Sequence, residues 1–188
     1  MKEIYSAGQI ACRVRKLGET IAEDYRNREL LAVCILKGAF IFFADLVRCI
    51  NTELQIDFVR LSSYGNQADS SGNILITRDI EADIRNKNIL LVEDIVDTGL
   101  SLSYLSSNLR NRGASEVKIC ALVDKRERRR TSIRVDYSGF TLQKGFLVGY
   151  GLDIAEKYRN LPGIYEVDPD KEINKEIQAN NRETPYDC

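Results

Sequence analysis

Residues 88–104, NILLVEDIVDTGLSLSY, constrain what this chain can fold into more than any other stretch. The uninterrupted apolar run at 89–92 fits a strand buried on both faces of a parallel sheet. Two acids, Glu93 and Asp94, follow where such a strand ends. A third, Asp97, leads the polar turn Asp97-Thr98-Gly99. Leu102, Leu105 and Leu109 then recur at the spacing of a helix with one apolar stripe. Strand, acids, turn and helix in this order put ligand groups at the carboxyl end of a sheet strand and backbone N–H donors at a helix start. Such donors suit a phosphate. The carboxylates beside them suit ribose hydroxyls or a hydrated Mg2+.

The rest of the chain repeats that alternation. Ser6 and Gln9 form a capping-box pair ahead of Ile10, Val14, Leu17, Ile21 and Tyr25, which recur at helical spacing. Residues 30–36, LLAVCIL, read as a buried strand that stops at Lys37-Gly38. Residues 39–50 read as a crossover helix, apolar on nearly every side, sandwiched in the core or shared with a second subunit. Leu54, Ile56 and Phe58 alternate with Gln55, Asp57 and Val59, as in a half-exposed strand. Residues 62–72, SSYGNQADSSG, lack apolar periodicity and predict a long mobile loop, with Tyr64 its one bulky group able to cover a ligand.

Residues 73–78 resume a strand, and Gly113 ends the helix that follows the central motif. Another strand at 117–123 ends on Asp124 and Lys125. The dense basic run 125–130, KRERRR, reads as a solvated face. Short strands are expected at 137–142 and 146–151, around Lys144-Gly145, and about two helical turns at 153–159. From Asp168 onward the tail is polar and acidic. Strands alternating with helices predict an α/β fold, a central mostly parallel twisted sheet flanked by helices in a single domain over residues 1–188.

Composition narrows the chemistry. The 188 residues are 44% hydrophobic and 29% charged, with a net charge of −1, so bulk electrostatics point to no nucleic-acid or membrane partner. Histidine is absent, which removes His-based triads, HExxH zinc chemistry and His general bases together. Acid–base work falls to Asp, Glu, Lys, Tyr or backbone groups. The five cysteines show no CxxC or metal-type spacing and read as free thiols of a reducing compartment. The first ten residues, MKEIYSAGQI, lack the apolar core of a secretion signal, so a cytoplasmic location is expected.

The segment VEDIVDTGLSLSYL resembles the phosphoribosyl-diphosphate binding motif of the purine-salvage phosphoribosyltransferases, in the form carried by the hypoxanthine-guanine branch. LKGAFIFFADL, DFVRLSSYG, LVDK and GFLVGYGLDIAEKYRNLP resemble further blocks of that family, in its order and spacing. The resemblance implies a type I phosphoribosyltransferase fold with a small base-binding hood. It implies phosphoribosyl transfer from the ribose diphosphate to a 6-oxopurine, Mg2+ as cofactor, and assembly as a homodimer or homotetramer. Leu36, Lys37 and Gly38 then correspond to a non-proline cis peptide turned toward the pyrophosphate, and Ser63 and Tyr64 to the tip of a loop that closes during reaction. Glu93 and Asp94 correspond to acids around the ribose hydroxyls and the metal. Asp97 becomes the catalytic base, and Thr98, Gly99, Leu100 and Ser101 complete the 5′-phosphate cradle. Lys125 reads the 6-oxo group, Phe146 stacks on the purine, and Leu147 meets the base edge through its backbone. Asp153 is a metal ligand and Arg159 a pyrophosphate contact.

The chain departs from the family at several places. Arg126 stands where relatives often carry Pro or Thr, Ile154 where they carry an aromatic, and Leu100 where some place a basic residue in the phosphate loop. Leu100 leaves more of that work to backbone donors. Two other readings remain open at this level. One is the same chemistry with xanthine or adenine preferred. The other is an RNA-binding regulator built on the same fold, for which the basic run 125–130 speaks and the motif ending VEDIVDTG does not.

Overall fold

The computed structural model describes residues 1–63 and 74–171. A six-stranded sheet carries the fold in the order β4-β3-β2-β5-β6-β7, from β2 (Leu30–Leu36), β3 (Gln55–Ser63), β4 (Ile74–Arg78), β5 (Asn88–Val96), β6 (Glu116–Lys125) and β7 (Tyr137–Leu142). All neighbouring pairs are parallel except β3 with β4. From β2 the chain works outward through β3 and β4; from β5 it works outward through β6 and β7. The order therefore reverses between β2 and β5, and the crevice beyond their carboxyl ends is where an open α/β sheet receives a ligand.

The helices are α1 (Ala7–Asp24), α2 (Phe40–Cys49) and α3 (Leu100–Asn111). α1 opens on the expected capping box, Ser6 with Gln9. Its stripe Ile10, Val14, Leu17 and Ile21 packs with Phe42, Phe43 and Leu46 of α2 against one face of the sheet. Leu102, Leu105 and Leu109 of α3 cover the other face, with Ile80 and Ile84 of the segment before β5. β5 lies between the two layers, so Ile89, Leu90, Leu91 and Val92 are all buried. That is why its sequence is a continuous apolar run rather than an alternating one. Phe40 at the start of α2 stays exposed. No helix among the described residues is long and apolar enough to cross a membrane.

A second, three-stranded antiparallel sheet supplies the hood: β1 (Lys2–Tyr5), β9 (Ile164–Val167) and β8 (Phe146–Val148), in the order β1-β9-β8. Neither β1 nor β9 is foreshadowed by the sequence pattern, because each is only four residues long. Three other expectations change. Residues 153–159 are not helical: Ala155, Glu156 and Tyr158 have φ of 50, 65 and 73°, in the left-handed region that an α-helix cannot use. Ser62 and Ser63 are not loop residues but end β3, paired with Leu75 and Ile74; Tyr64 and the rest of that segment lie outside the described residues. And β3 does not bury the apolar side of its alternation, since Ile56 is 52% exposed while Val59 and Asp57 are buried.

The burial of Asp57 has a specific cause. Glu81 N and Ala82 N both donate to its Oδ2, at 2.9 and 2.8 Å, and Phe58 N donates to its Oδ1 at 2.7 Å. The carboxylate thus closes the chain between β4 and β5 onto the sheet. Asp57→Ala leaves those amides without their partner in a partly buried setting and is expected to cost about 1–3 kcal/mol, read as a lower midpoint in chemical denaturation. Asp57→Asn keeps an acceptor and is expected to recover part of the loss.

Candidate active site

The turn after β2 and the acids of β5 meet at the reversal point. The Leu36–Lys37 peptide is cis. A Cβ on Gly38 would overlap Oδ2 of Asp94, so only glycine lets the turn lie directly on that carboxylate. From the other side Gly151, with φ of 102°, brings residues 149–159 down onto the carbonyl of Gly38, where a Cβ would again overlap. Three separate segments are thereby held at one point.

Asp94 is buried, and its Oδ1 accepts from Ile95 N at 2.8 Å; Glu93 Oε1 accepts from Asp94 N at 3.3 Å. Burial pushes the Glu93 carboxyl well above its ordinary range, and the neighbouring charge of Asp94 adds to the effect. Burial raises Asp94 as well, against hydrogen bonds and the Arg159 charge that favour its ionised form. The same surroundings push the Cys34 thiol up to about 12, first by burial and then by these two acids.

Asp97 follows the end of β5 directly, and the neighbouring β6 ends on Lys125. Lys125 Nζ stands 4.0 Å from Asp97 Oδ1, and Arg128 Nη1 is 3.4 Å from Asp97 Oδ2. Among the described residues Asp97 Oδ1 is buried and accepts no hydrogen bond. Lys125 is itself buried, its side chain 11% exposed. Thr98 and Gly99 then turn into α3, with Gly99 as N-cap at φ of 78° and no side-chain cap; Leu100 N donates to Thr98 Oγ1 at 3.4 Å, a long bond at a helix start whose amides suit an anion.

Sequence reasoning missed what holds this turn. Arg129, inside the run read as a solvated face, has a side chain only 17% exposed. It pairs with Asp124, and its guanidinium donates to the carbonyls of Asp97 (3.1 Å), Val96 (3.2 Å), Lys125 (3.2 Å) and Ile133 (3.3 Å). Arg130 N donates to Thr98 O at 2.9 Å. One side chain therefore ties the end of β5 to the end of β6. Arg126 and Arg128 do lie exposed, though each contacts an acid, Asp124 and Asp97 respectively. The signal in the sequence was a buried-strand acid, Asp124, five residues before Arg129.

Arg159 and Asp153, expected on one helix, instead meet across a loop: Nη2 is 2.9 Å from Asp153 Oδ1, and Nη1 donates to Gly151 O at 2.8 Å. Lys37 joins them through Glu156. The structure does not gather Glu93, Asp94 and Asp153 into one metal-holding cluster; among the described residues no group of three or more such ligands exists. Phe146 is 41% exposed on β8, its ring available, and Leu147 is buried with its residue paired to Glu166 of β9. Tyr64 lies outside the described residues.

A family model for the phosphoribosyl transferase domain matches residues 1–155. A hypoxanthine-guanine phosphoribosyltransferase of Bacillus subtilis (strain 168) is 44% identical over 168 residues, covering 89% of this chain and 93% of that protein. A hypoxanthine phosphoribosyltransferase of Buchnera aphidicola subsp. Schizaphis graminum is 43% identical, with 89% and 96% covered. A crystal structure of a hypoxanthine phosphoribosyltransferase from Staphylococcus aureus superimposes with a TM-score of 0.87 at 37% identity, covering 91% of this chain and 93% of the other. The chain belongs to the phosphoribosyltransferases. Within them it falls in the hypoxanthine-guanine family, as the central motif implied.

The raised Glu93 carboxyl has a consequence for stability. A carboxyl whose folded value lies above its unfolded 4.5 contributes stability below 4.5 that is lost as pH climbs through the folded value. Glu93→Gln removes that penalty. The ligand-free variant is expected to melt at a higher temperature than the parent at neutral pH, with a flatter dependence between mild acid and neutrality. Differential scanning calorimetry across that pH range checks it; equal midpoints for parent and variant at neutral pH would show that Glu93 carries no such penalty.

Proposed function

We propose that this chain transfers the phosphoribosyl group of 5-phospho-α-D-ribose 1-diphosphate to N9 of hypoxanthine or guanine, forming IMP or GMP and releasing diphosphate. The observation that carries the reading is the pairing of Lys125 Nζ with Asp97 Oδ1, a buried donor and an unsatisfied acceptor 4.0 Å apart. A 6-oxopurine presents an acceptor, O6, beside N7. Lysine is a donor with no acceptor, so it satisfies O6; the carboxylate takes a hydrogen bond or proton from N7 as N9 attacks. With no histidine in the chain, the acid is the natural base.

The remaining groups serve the sugar and its phosphates. The Thr98–Ser101 turn offers its backbone N–H groups to the 5′-phosphate, Glu93 and Asp94 hold the ribose hydroxyls in register, and Lys37 and Arg159 face the departing diphosphate. Phe146 offers a ring face to the planar base, and the Leu147 backbone its edge. A hard cation that takes one or two carboxylates and completes its shell with substrate oxygens and water fits a donor set of dispersed acids. Mg2+ bound in that way through Glu93, Asp94 or Asp153 would neutralise charge on the diphosphate. No nucleic-acid partner is invoked. The assembly expected is a homodimer or homotetramer in the cytoplasm.

Two substitutions test the base-reading pair. Adenine sets its 6-amino donor against the Lys125 ammonium, leaving buried donors unpaired at a cost of about 1–3 kcal/mol or more. The chain is expected to prefer hypoxanthine and guanine over adenine by at least roughly 100-fold in kcat/KM, a ratio of the kind that unpaired buried donors impose. Lys125→Ala is expected to lose most of that preference rather than merely the rate. Equal use of adenine and hypoxanthine by the parent chain would overturn the assignment.

Asp97→Asn is expected to keep fold and phosphate binding while kcat falls roughly 10²–10³-fold. Steady-state kinetics with circular dichroism as the folding control measure it. A loss below tenfold in a folded variant would pass the role to another group.

A further inference from the structure

Glu156 stands between the two cations that the proposed reaction assigns to the diphosphate. Its Oε2 is 3.0 Å from Lys37 Nζ and 3.2 Å from Arg159 Nη2. The two cations come from segments more than a hundred residues apart, the turn after β2 and the loop after β8, and one carboxylate oxygen bridges them.

The loop is built to hold it there. Glu156 itself has a φ of 65°, flanked by Ala155 at 50° and followed by Tyr158 at 73°. Three left-handed residues that are not glycine in so short a stretch mark a conformation held by its surroundings. Asp153 Oδ2 accepts from Glu156 N at 2.8 Å, and the backbone pairs Ile154 with Lys157 in both directions. Lys37 first, then Arg159, hold the Glu156 carboxyl below its ordinary value, so it is a charged group at neutral pH.

A diphosphate oxygen approaching Lys37 and Arg159 meets an anion already in its place. Arg159 is also held by Asp153 Oδ1 and Gly151 O, and these contacts are compatible with a fixed guanidinium that only exchanges one acceptor. We propose that Glu156 is a placeholder for the diphosphate: it keeps Lys37 and Arg159 paired and oriented in the ligand-free enzyme, and is displaced from both when diphosphate or its ribose ester binds. The proposal rests on the function given above and adds a residue whose role is to weaken ligand binding. Its side chain is 64% exposed, so displacement moves the carboxylate into water at little desolvation cost. Easy release of diphosphate after transfer is the gain.

The test is titration calorimetry of inorganic diphosphate, in the presence of Mg2+, into the full chain and two variants. Glu156→Gln removes the competing charge and is expected to bind diphosphate about three- to tenfold more tightly, the scale of exposed ion pairs that no longer have to be broken. Glu156→Asp keeps the charge on a shorter arm and is expected to fall between the two. IMP carries a phosphate but no diphosphate, and its affinity is expected to be the same in all three. Equal or weaker diphosphate binding by Glu156→Gln, with the parent active on hypoxanthine, overturns the placeholder and leaves the function standing. Weaker binding of both ligands would mark Glu156 as a structural clasp, which also overturns it. A parent chain that neither binds diphosphate nor uses the ribose diphosphate would overturn the function itself.

Discussion

Two adjacent carboxylates near the end of the central strand, Glu93 partly buried and Asp94 buried, set the terms for everything around them. Glu93 and Asp94 are held where burial disfavours their charge, and each accepts a hydrogen bond from a local backbone amide. A fold optimised for stability alone would not place acids there. Their position forces the adjoining chain to be glycine at Gly38 and Gly151, since any side chain would collide with Asp94 or with the Gly38 carbonyl. The apolar body of β5 and the two helical layers that cover it supply the burial that outweighs the cost. Stability is generated in the sheet and spent at its carboxyl edge, the pattern expected where strain and charge serve binding.

The basic run shows how charge at that edge is managed. Of Lys125, Arg126, Arg128 and Arg129, each has an acidic partner within 4.0 Å, either Asp97 or Asp124. Lys125 and Arg129 are thus built into the carboxyl edge of the sheet, while Arg126 and Arg128 keep exposed side chains. Arg129 is the most constrained of the four. Its planar fork reaches four carbonyls and a carboxylate at once, a geometry that lysine's single ammonium cannot reproduce. It is what ties the backbone of Asp97 to that of Lys125.

Much of this was legible from residue patterns. The β2 strand, the capping box of α1, the crossover α2, and the order strand, acids, turn, helix around Asp97 are local features, written in periodicity and in Gly, Ser and Asp placement. What escaped was nonlocal. Asp57 is buried because of amides at Glu81 and Ala82, and Arg129 because of carbonyls at Val96 and Asp97. No window of neighbouring residues contains those partners. Residues 153–159 have a plausible helical composition, yet Gly151 N bonding to Arg159 O pulls the segment into a closed loop, and tertiary contact overrides propensity there. β1 and β9 become strands only because they find each other across almost the whole chain.

The same accounting extends to how the site meets its ligands. The three cations that the proposed reaction assigns to substrate are already paired: Lys37 with Glu156, Arg159 with Glu156 and Asp153, Lys125 with Asp97. Binding therefore exchanges one set of ion pairs for another, and the net gain is the difference between the two. A site built so discriminates strongly between ligands while holding none of them too tightly, because a ligand that matches only part of the pattern leaves a protein charge unsatisfied. For a reaction that must release both a nucleotide and a diphosphate, modest net affinity with sharp selectivity is the useful combination. The internal pairs also keep the cations aimed before substrate arrives, so the ordering cost is met in folding rather than in binding.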